Sequence, residues 1–410
     1  MTSAKENLLL VIPPVVRTVN GAYEVETDFS HNLRLYLTNF SQVTFSCPIL
    51  PDHRANGAIL RSLPLESLQN SKRLSFVPLP YPYREDRYLR HYFATRRLLS
   101  AEIAKADYLL FSPHSKYDWS TLAVRLAMKQ GRKYDMESDH DHYSAHQFVL
   151  ASLPFGFKKL RKMMWARSFL RDVENCFSHS AVALLQGQEV FDAYKEIAPN
   201  PHKVLNVQVS PEDHIPPLQL EAKLDRIRKK APLVVSYAGQ AIARKGPFDW
   251  LRVVRSVSEA GIKLQATWFG DGPLMKQMTH EAKRLDIENV VSFPGSVSRQ
   301  EIMAALQKTD IFLFCHKIGE SPRCLGEALA AGSALVGYGT EYPRELVAIQ
   351  GGGEFAEMDD WQGLAEKIIC LDRDRLQLAR LLEAASSSGR LLDRDTFMQR
   401  RIELIKAYVS

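Results

Sequence analysis

Cysteine is scarce in this chain, and its few cysteines are not arranged as a framework. Cys47, Cys176, Cys315, Cys324 and Cys370 are an odd set of five in 410 residues with no CxxC spacing. That excludes a disulfide scaffold and a structural zinc site and fits a reducing compartment. The expected location is therefore cytoplasmic, with the inner face of the membrane as the alternative. No apolar run approaches the roughly 18–20 residues needed to cross a bilayer. The opening run LLLVIPPVV is interrupted by Pro13 and Pro14, so it reads as a first buried strand and not as a signal peptide. Internal repeats and low-complexity blocks are absent. The charge excess is slight: 53 basic against 47 acidic residues gives +6. With no basic patch interleaved with aromatics, nucleic acid is excluded as a partner, whereas anionic substrates or an anionic membrane surface suit the balance.

What is present is an ordinary globular composition, 45% hydrophobic and 24% charged, in a chain long enough for two cores. Short apolar runs alternate with longer amphipathic stretches, the pattern of parallel α/β architecture. In the first half, strands are expected at 8–11, 43–47, 108–111, 134–136 and 182–185, with helices near 28–40, 88–104, 119–130 and 188–196. In the second half, strands are expected near 204–207, 233–238, 264–269, 290–293, 311–314 and 334–337. The Pro-rich, then charged, segment 211–231 separates the two series. This predicts an N-terminal domain over 1–205, a second domain over 206–380, and terminal helices over 381–410, with SSSG at 386–389 as a turn between them.

The most informative stretch is FLFCHKIGESPRCLGEALAAGSALVGYG, residues 312–339. An apolar strand leads through a Gly/Pro turn into a helix opening at Pro322, which carries Glu327 one turn in and ends at Gly332 before a second buried strand. In such βαβ units anionic ligands sit on the free N–H groups of the helix N-terminus. This is a site for a phosphorylated ligand beside a placed carboxylate.

ESPRCLGEALAAG resembles the donor-binding signature of the retaining glycosyltransferases of family 4. Three further segments stand in that family's order: GQAIARKG at 239–246, FGDGP at 269–273, and EYPRELV followed by glycines over 341–353. The resemblance covers about 232–380 and implies a GT-B fold, two Rossmann-like doubly wound parallel-sheet domains facing a central cleft, with the last helix crossing back to the N-terminal domain. It also implies transfer of a sugar, with retention, from a nucleotide-diphosphate sugar to a hydroxyl acceptor, a glycan or lipid-linked one, in bacterial exopolysaccharide or surface glycan assembly. No cofactor is implied beyond the donor substrate, and no metal.

Carried residue by residue, the resemblance makes Glu327 the acceptor of the ribose hydroxyls and Glu320 the carboxylate nearest the sugar. The family's spacing would place that second acid at Gly319, so the pattern here is Glu-x6-Glu. The amides of Cys324 and Leu325 would cradle the diphosphate, Arg323 would contact either the donor or a neighbouring carboxylate, and Ser321 and Pro322 would complete the donor site. Lys245 would neutralise the leaving diphosphate. Arg244 would replace the arginine that the family carries where this chain has Gln240, after Gly239. Gly272 and Gly21 would let the donor approach the backbone. Plain turn chemistry explains Asn20-Gly21 equally well, and Cys324 reads as a packing residue because no base partner is evident.

The densest polar cluster is Glu137-Ser-Asp-His-Asp-His-Tyr with His146. It lacks the further acid and histidine of a metallohydrolase motif, so no metal is assigned. Asp139, His140 or Asp141 would match a family pair facing sugar and acceptor, His140 first among them, and His114 would line the same site. Residues 157–173, FKKLRKMMWARSFLRDV, form an amphipathic basic helix that suits either an anionic membrane or the domain's own sheet. Two other functions compete with transfer: a GT-B sugar-nucleotide epimerase, and a catalytically silent nucleotide-binding partner subunit.

Overall fold

Runs such as Leu8–Val11 and Ile311–Phe314, apolar at every position, have no polar face to offer water and are buried along their whole length. The computed structural model describes residues 6–51, 62–68, 73–205 and 207–409. The chain folds into two units, one comprising the residues up to Leu205 and again from Asp395, the other the stretch between, ending at Arg394.

In the first unit the parallel strands are β1 (Asn7–Val11), β4 (Gln42–Leu50), β6 (Leu74–Leu79), β7 (Tyr108–Phe111), β8 (Asp135–Ser138), β9 (Val182–Gln186) and β10 (Pro201–Val204). β1 lies between β4 and β7, β6 pairs with β4, and the sheet continues through β8 and β9 to β10. The strand expected near 204–207 at the head of the second series is β10, which pairs with β9 and completes the first sheet. Between β1 and β4 the chain inserts a hairpin, β2 (Val16–Val19) and β3 (Ala22–Glu26), with β5 (Ser62–Pro64) along its edge.

In the second unit β11 (Leu233–Ala238), β12 (Leu264–Phe269), β13 (Val291–Gly295), β14 (Ile311–Phe314), β15 (Ala334–Tyr338) and β16 (Gly353–Ala356) form a six-stranded parallel sheet. Its order is β13-β12-β11-β14-β15-β16. The winding reverses between β11 and β14, and the crevice beyond the carboxyl ends of these two strands is where ligands bind in open α/β sheets.

The terminal helices part company. Helix 375–389 belongs to the second unit and helix 394–409 to the first. SSSG is not a turn but the last turn of helix 375–389. Its small residues permit close packing: Ser388 donates to the carbonyl of Gly351 at 2.8 Å, and a Cβ on Gly389 would come within 2.4 Å of the Ala330 backbone nitrogen. Helix 394–409 buries Met398, Ile402, Leu404, Ile405 and Val409 in the first unit's core. Arg401 is buried with them, pairs with Glu137, and donates to the carbonyl of Leu205 at 3.1 Å.

Candidate functional site

The second unit gathers most of the sequence-predicted residues around the β11–β14 switch point. Beyond β11 the chain passes Gly239 and Gln240, makes a 3-10 turn over Ala243–Lys245, and enters helix 247–259 through Gly246. Gly246 is required here. Its φ is +62°, and a Cβ would lie 2.0 Å from the carbonyl oxygen of Cys315. Lys317 N–H donates to the Arg244 carbonyl at 2.7 Å, so the loops after β11 and β14 are tied to each other.

Glu320 is the centre of this pairing. Lys245 Nζ lies 2.5 Å from its Oε1, Arg244 Nη1 3.7 Å from its Oε2, and His316 Nδ1 3.4 Å from its Oε1. The Glu320 and Lys245 side chains are only 11% and 12% exposed, so their mutual charge is poorly screened. Behind them His316 is buried, and its Nε2 is 2.9 Å from the Tyr237 hydroxyl. Burial, reinforced by the Lys245 and Arg244 cations, holds the His316 imidazole well below its ordinary pKa. Burial likewise keeps the Tyr237 phenol protonated, far above its ordinary value. His316 thus lies between two polar groups, its Nε2 on the Tyr237 hydroxyl and its Nδ1 towards Glu320. His316 and Tyr237 were not singled out from sequence. A histidine two residues past a fully apolar strand, four before Glu320, was the available signal.

The helix that opens at Pro322 by sequence begins one residue later, over Arg323–Ala330. Pro322 takes the N-cap position with extended backbone, and Ser321 is buried beside it. Leu325 N–H turns back to the Pro322 carbonyl at 3.3 Å. The Cys324 thiol is pushed up to about 12, chiefly by burial, in keeping with a packing role. Glu327, the fifth residue of the helix, meets Arg299 Nε at 3.3 Å. Arg299 in turn spans both oxygens of Asp213, each at 2.7 Å, and donates to the Gln208 carbonyl at 3.0 Å. Asp213 and Arg299 were also missed, because they come from segments 86 positions apart.

The glycines have turn and packing reasons. A Cβ on Gly270, whose φ is +124°, would lie 2.2 Å from the Gly239 carbonyl, and one on Gly272 2.7 Å from that of Ala241. The loops after β11 and β12 thus pack backbone to backbone. Gly21, expected in a first strand-to-helix loop, sits instead with Asn20 in the two-residue turn of the β2–β3 hairpin. Their φ values of +49° and +82° are those of a type I′ turn, for which Asn-Gly is the preferred pair.

In the first unit, His114 follows β7, and Asp139 and His140 follow β8. Ligand atoms of the three lie within 4.8 Å of one another. Asp139 Oδ1 and His140 Nδ1 are 2.6 Å apart, an aspartate–histidine pair that accounts for two of them directly. Burial alone would raise Asp139, but His140 and then His114 outweigh it and hold the carboxyl below its usual range. Asp141 instead caps helix 142–151, accepting from Tyr143 N–H at 2.9 Å. His142, next to it, is buried and depressed to about 3 by that burial. His146 is spent on the His142 carbonyl, at 2.8 Å, and on the face of Trp165.

Two parallel-sheet units, the second with a charged side-chain cluster and a short helix at its switch point, are the architecture of the GT-B fold. Residues 221–388, all within the second unit, match the family model described as glycosyl transferases group 1. WcaL of Escherichia coli strain K12, named as a colanic acid biosynthesis glycosyltransferase, is 26% identical over 154 residues, which are 35% of this chain and 38% of that relative. The chain therefore aligns with well under half of that relative's length. Among solved structures, Anabaena Alr3699/HepE in complex with UDP and glucose superposes with a TM-score of 0.69 at 15% identity, covering 98% of this chain and 100% of the other. Sucrose-phosphate synthase of Thermosynechococcus elongatus gives 0.71 at 11% identity, with 98% of each chain covered. WaaG, a glycosyltransferase of lipopolysaccharide biosynthesis, gives 0.67 at 12% identity, covering 96% of this chain and 99% of the other. The fold is that of the GT-B glycosyltransferases.

Proposed function

We propose that the protein is a retaining, metal-independent glycosyltransferase that moves a sugar from a nucleoside diphosphate sugar to a hydroxyl acceptor in surface-glycan assembly. The observation that carries this reading is the paired loops at the β11–β14 switch point, where Glu320 holds Lys245 and Arg244 side by side. The family match, and the complex of the Anabaena protein with UDP and glucose, support a nucleotide-sugar donor.

The chemistry asks for cations where a diphosphate departs. Lys245 and Arg244, already fixed by Glu320, stabilise that charge without reorganising as it develops. Glu320, held by His316, faces the sugar, and Glu327, aimed by Arg299, accepts from the ribose hydroxyls. In the front-face course implied by retention, the leaving phosphate oxygen removes the acceptor proton while these cations steady it. His140, poised by Asp139, orients the sugar or the acceptor. The glycan pathway rests on the likeness to WcaL and WaaG alone.

The test is thermal melting with UDP, GDP and ADP and their sugar conjugates, followed by donor turnover with and without a chelator. A ligand that binds only the folded chain raises the melting temperature by mass action. One nucleotide should do so, its shift should vanish in Glu327→Ala, and turnover should survive chelation. A shift without turnover on any acceptor would instead make the chain a nucleotide-binding partner subunit.

A further inference from the structure

The helix over Phe157–Ser178 is used in two ways along its length. Its C-terminal half buries Ala166, Phe169, Val173, Cys176 and Phe177 in the first unit's core. Its N-terminal half leaves its apolar side chains in water: Phe157 is 77% exposed, Leu160 50% and Met164 63%. These three recur at helical spacing and share one face. Phe155, just before the helix, is 97% exposed. A cluster of this kind on one helix end differs from singly scattered surface residues, which need no explanation.

The charge around this face has one sign. Lys158, Lys159, Arg161, Lys162, Arg167 and Arg171 flank it, and no Asp or Glu occurs between Asp141 and Asp172. Of these cations only Arg171, beside Asp172 and one helical turn from Glu174, has an acidic neighbour along the chain. Lys159 lies over the Phe155 ring at 4.7 Å, and Lys162 over Trp165 at 5.6 Å. Elsewhere on the helix Asp172 is occupied by Arg125, at 2.7 Å.

We propose that this end of the helix docks the protein on an anionic lipid bilayer, with Phe155, Phe157, Leu160 and Met164 entering the headgroup–acyl boundary and the lysines and arginines resting on the phosphates. Apolar insertion and cationic attraction together are what an interfacial helix requires, and each alone binds weakly. A purely polyanionic partner would use the cations and leave the phenylalanines unexplained. All its residues lie in the first unit, and the donor residues at the switch point lie in the second.

The test is co-sedimentation of the full chain with vesicles of phosphatidylcholine alone or mixed with phosphatidylglycerol, at low and at high salt. We expect at least about tenfold stronger binding to the anionic vesicles, weakened by salt. We expect a further fall of several-fold in Phe155→Ser/Phe157→Ser and again in Lys158→Glu/Arg161→Glu/Lys162→Glu. Because these side chains lie on the outward part of the helix, both variants should melt like the parent and keep any donor-induced shift. Equal binding to neutral vesicles, or no loss in the charge-reversed variant, would overturn the proposal. So would an undiminished response of the phenylalanine variant, which would reduce the surface to a general polyanion site. A parent chain that binds vesicles yet shows no donor shift would sink the donor reading and leave this one standing.

Discussion

Arg299 and Asp213 meet through two parallel contacts of 2.7 Å, and the same guanidinium reaches Glu327 at 3.3 Å. The bidentate geometry fixes the arginine plane, so the carboxylate at the switch-point helix is aimed by a residue from another helix. Arg299→Ala leaves buried Asp213 without its cation, held only by the Ser210 N–H and hydroxyl, each at 2.9 Å. The expected outcome is a loss of roughly 3 kcal/mol of stability, measured by denaturant unfolding, together with a weaker donor-induced melting shift. Arg299→Lys should restore part of the stability and little of the shift, since an ammonium cannot hold both oxygens of Asp213 in one plane.

Lys245 should matter more to turnover than to folding. Lys245→Ala removes the nearest cation from Glu320, and donor turnover should fall roughly 10²–10³-fold, the usual loss when one charge-stabilising group is deleted. Glu320→Gln keeps the shape but gives up a charge-assisted hydrogen bond worth roughly 1.5–3 kcal/mol, so a fall of about ten- to a hundredfold is expected. Steady-state rates of the two variants against one donor check both figures. Unchanged rates in both would remove this cluster from the chemistry.

The C-terminal helix is held to the first unit by Arg401 as well as by its apolar face. With Glu137 and Leu205 as its partners in a buried site, Arg401→Met should fare better than Arg401→Ala, because the methionine at least refills the volume. The alanine variant should lose roughly 3 kcal/mol. Urea unfolding curves of the two variants decide it.

Acid should destabilise the first unit through His142. Its folded pKa of about 3 lies below the ordinary value of 6.5, because burial, and then His114 and His140, oppose its charge. Between these values the unfolded chain binds a proton that the folded chain does not. Stability therefore rises with pH across this window and is lost as pH falls from 6.5 towards 3. In His142→Phe the melting temperature should vary less across that range. An identical pH profile in parent and variant would show that His142 titrates normally.

The strand series was legible because β1, β7, β9, β14 and β15 are apolar along almost their whole length, and a fully buried parallel strand leaves no other pattern. The β2–β3 hairpin escaped notice because its alternation is short and its turn, Asn20-Gly21, fits a loop equally well. SSSG at 386–389 looked like a turn because serine and glycine favour turns in isolation. In the fold the same small residues serve close helix packing, a use that no local propensity displays.

In the candidate site, Lys245, Arg244, Glu320 and Glu327 were visible from sequence because the resemblance to the family's donor signature carries them over position by position. Alternating apolar and amphipathic segments likewise determined that this chain builds parallel α/β units. His316 facing Glu320, Tyr237 behind His316, and Arg299 bridging Asp213 to Glu327 were decided only by tertiary structure. So was the division of helix 157–178 into a buried half and an exposed half. Helical periodicity states which residues share a face; only packing determines how much of that face finds a neighbour.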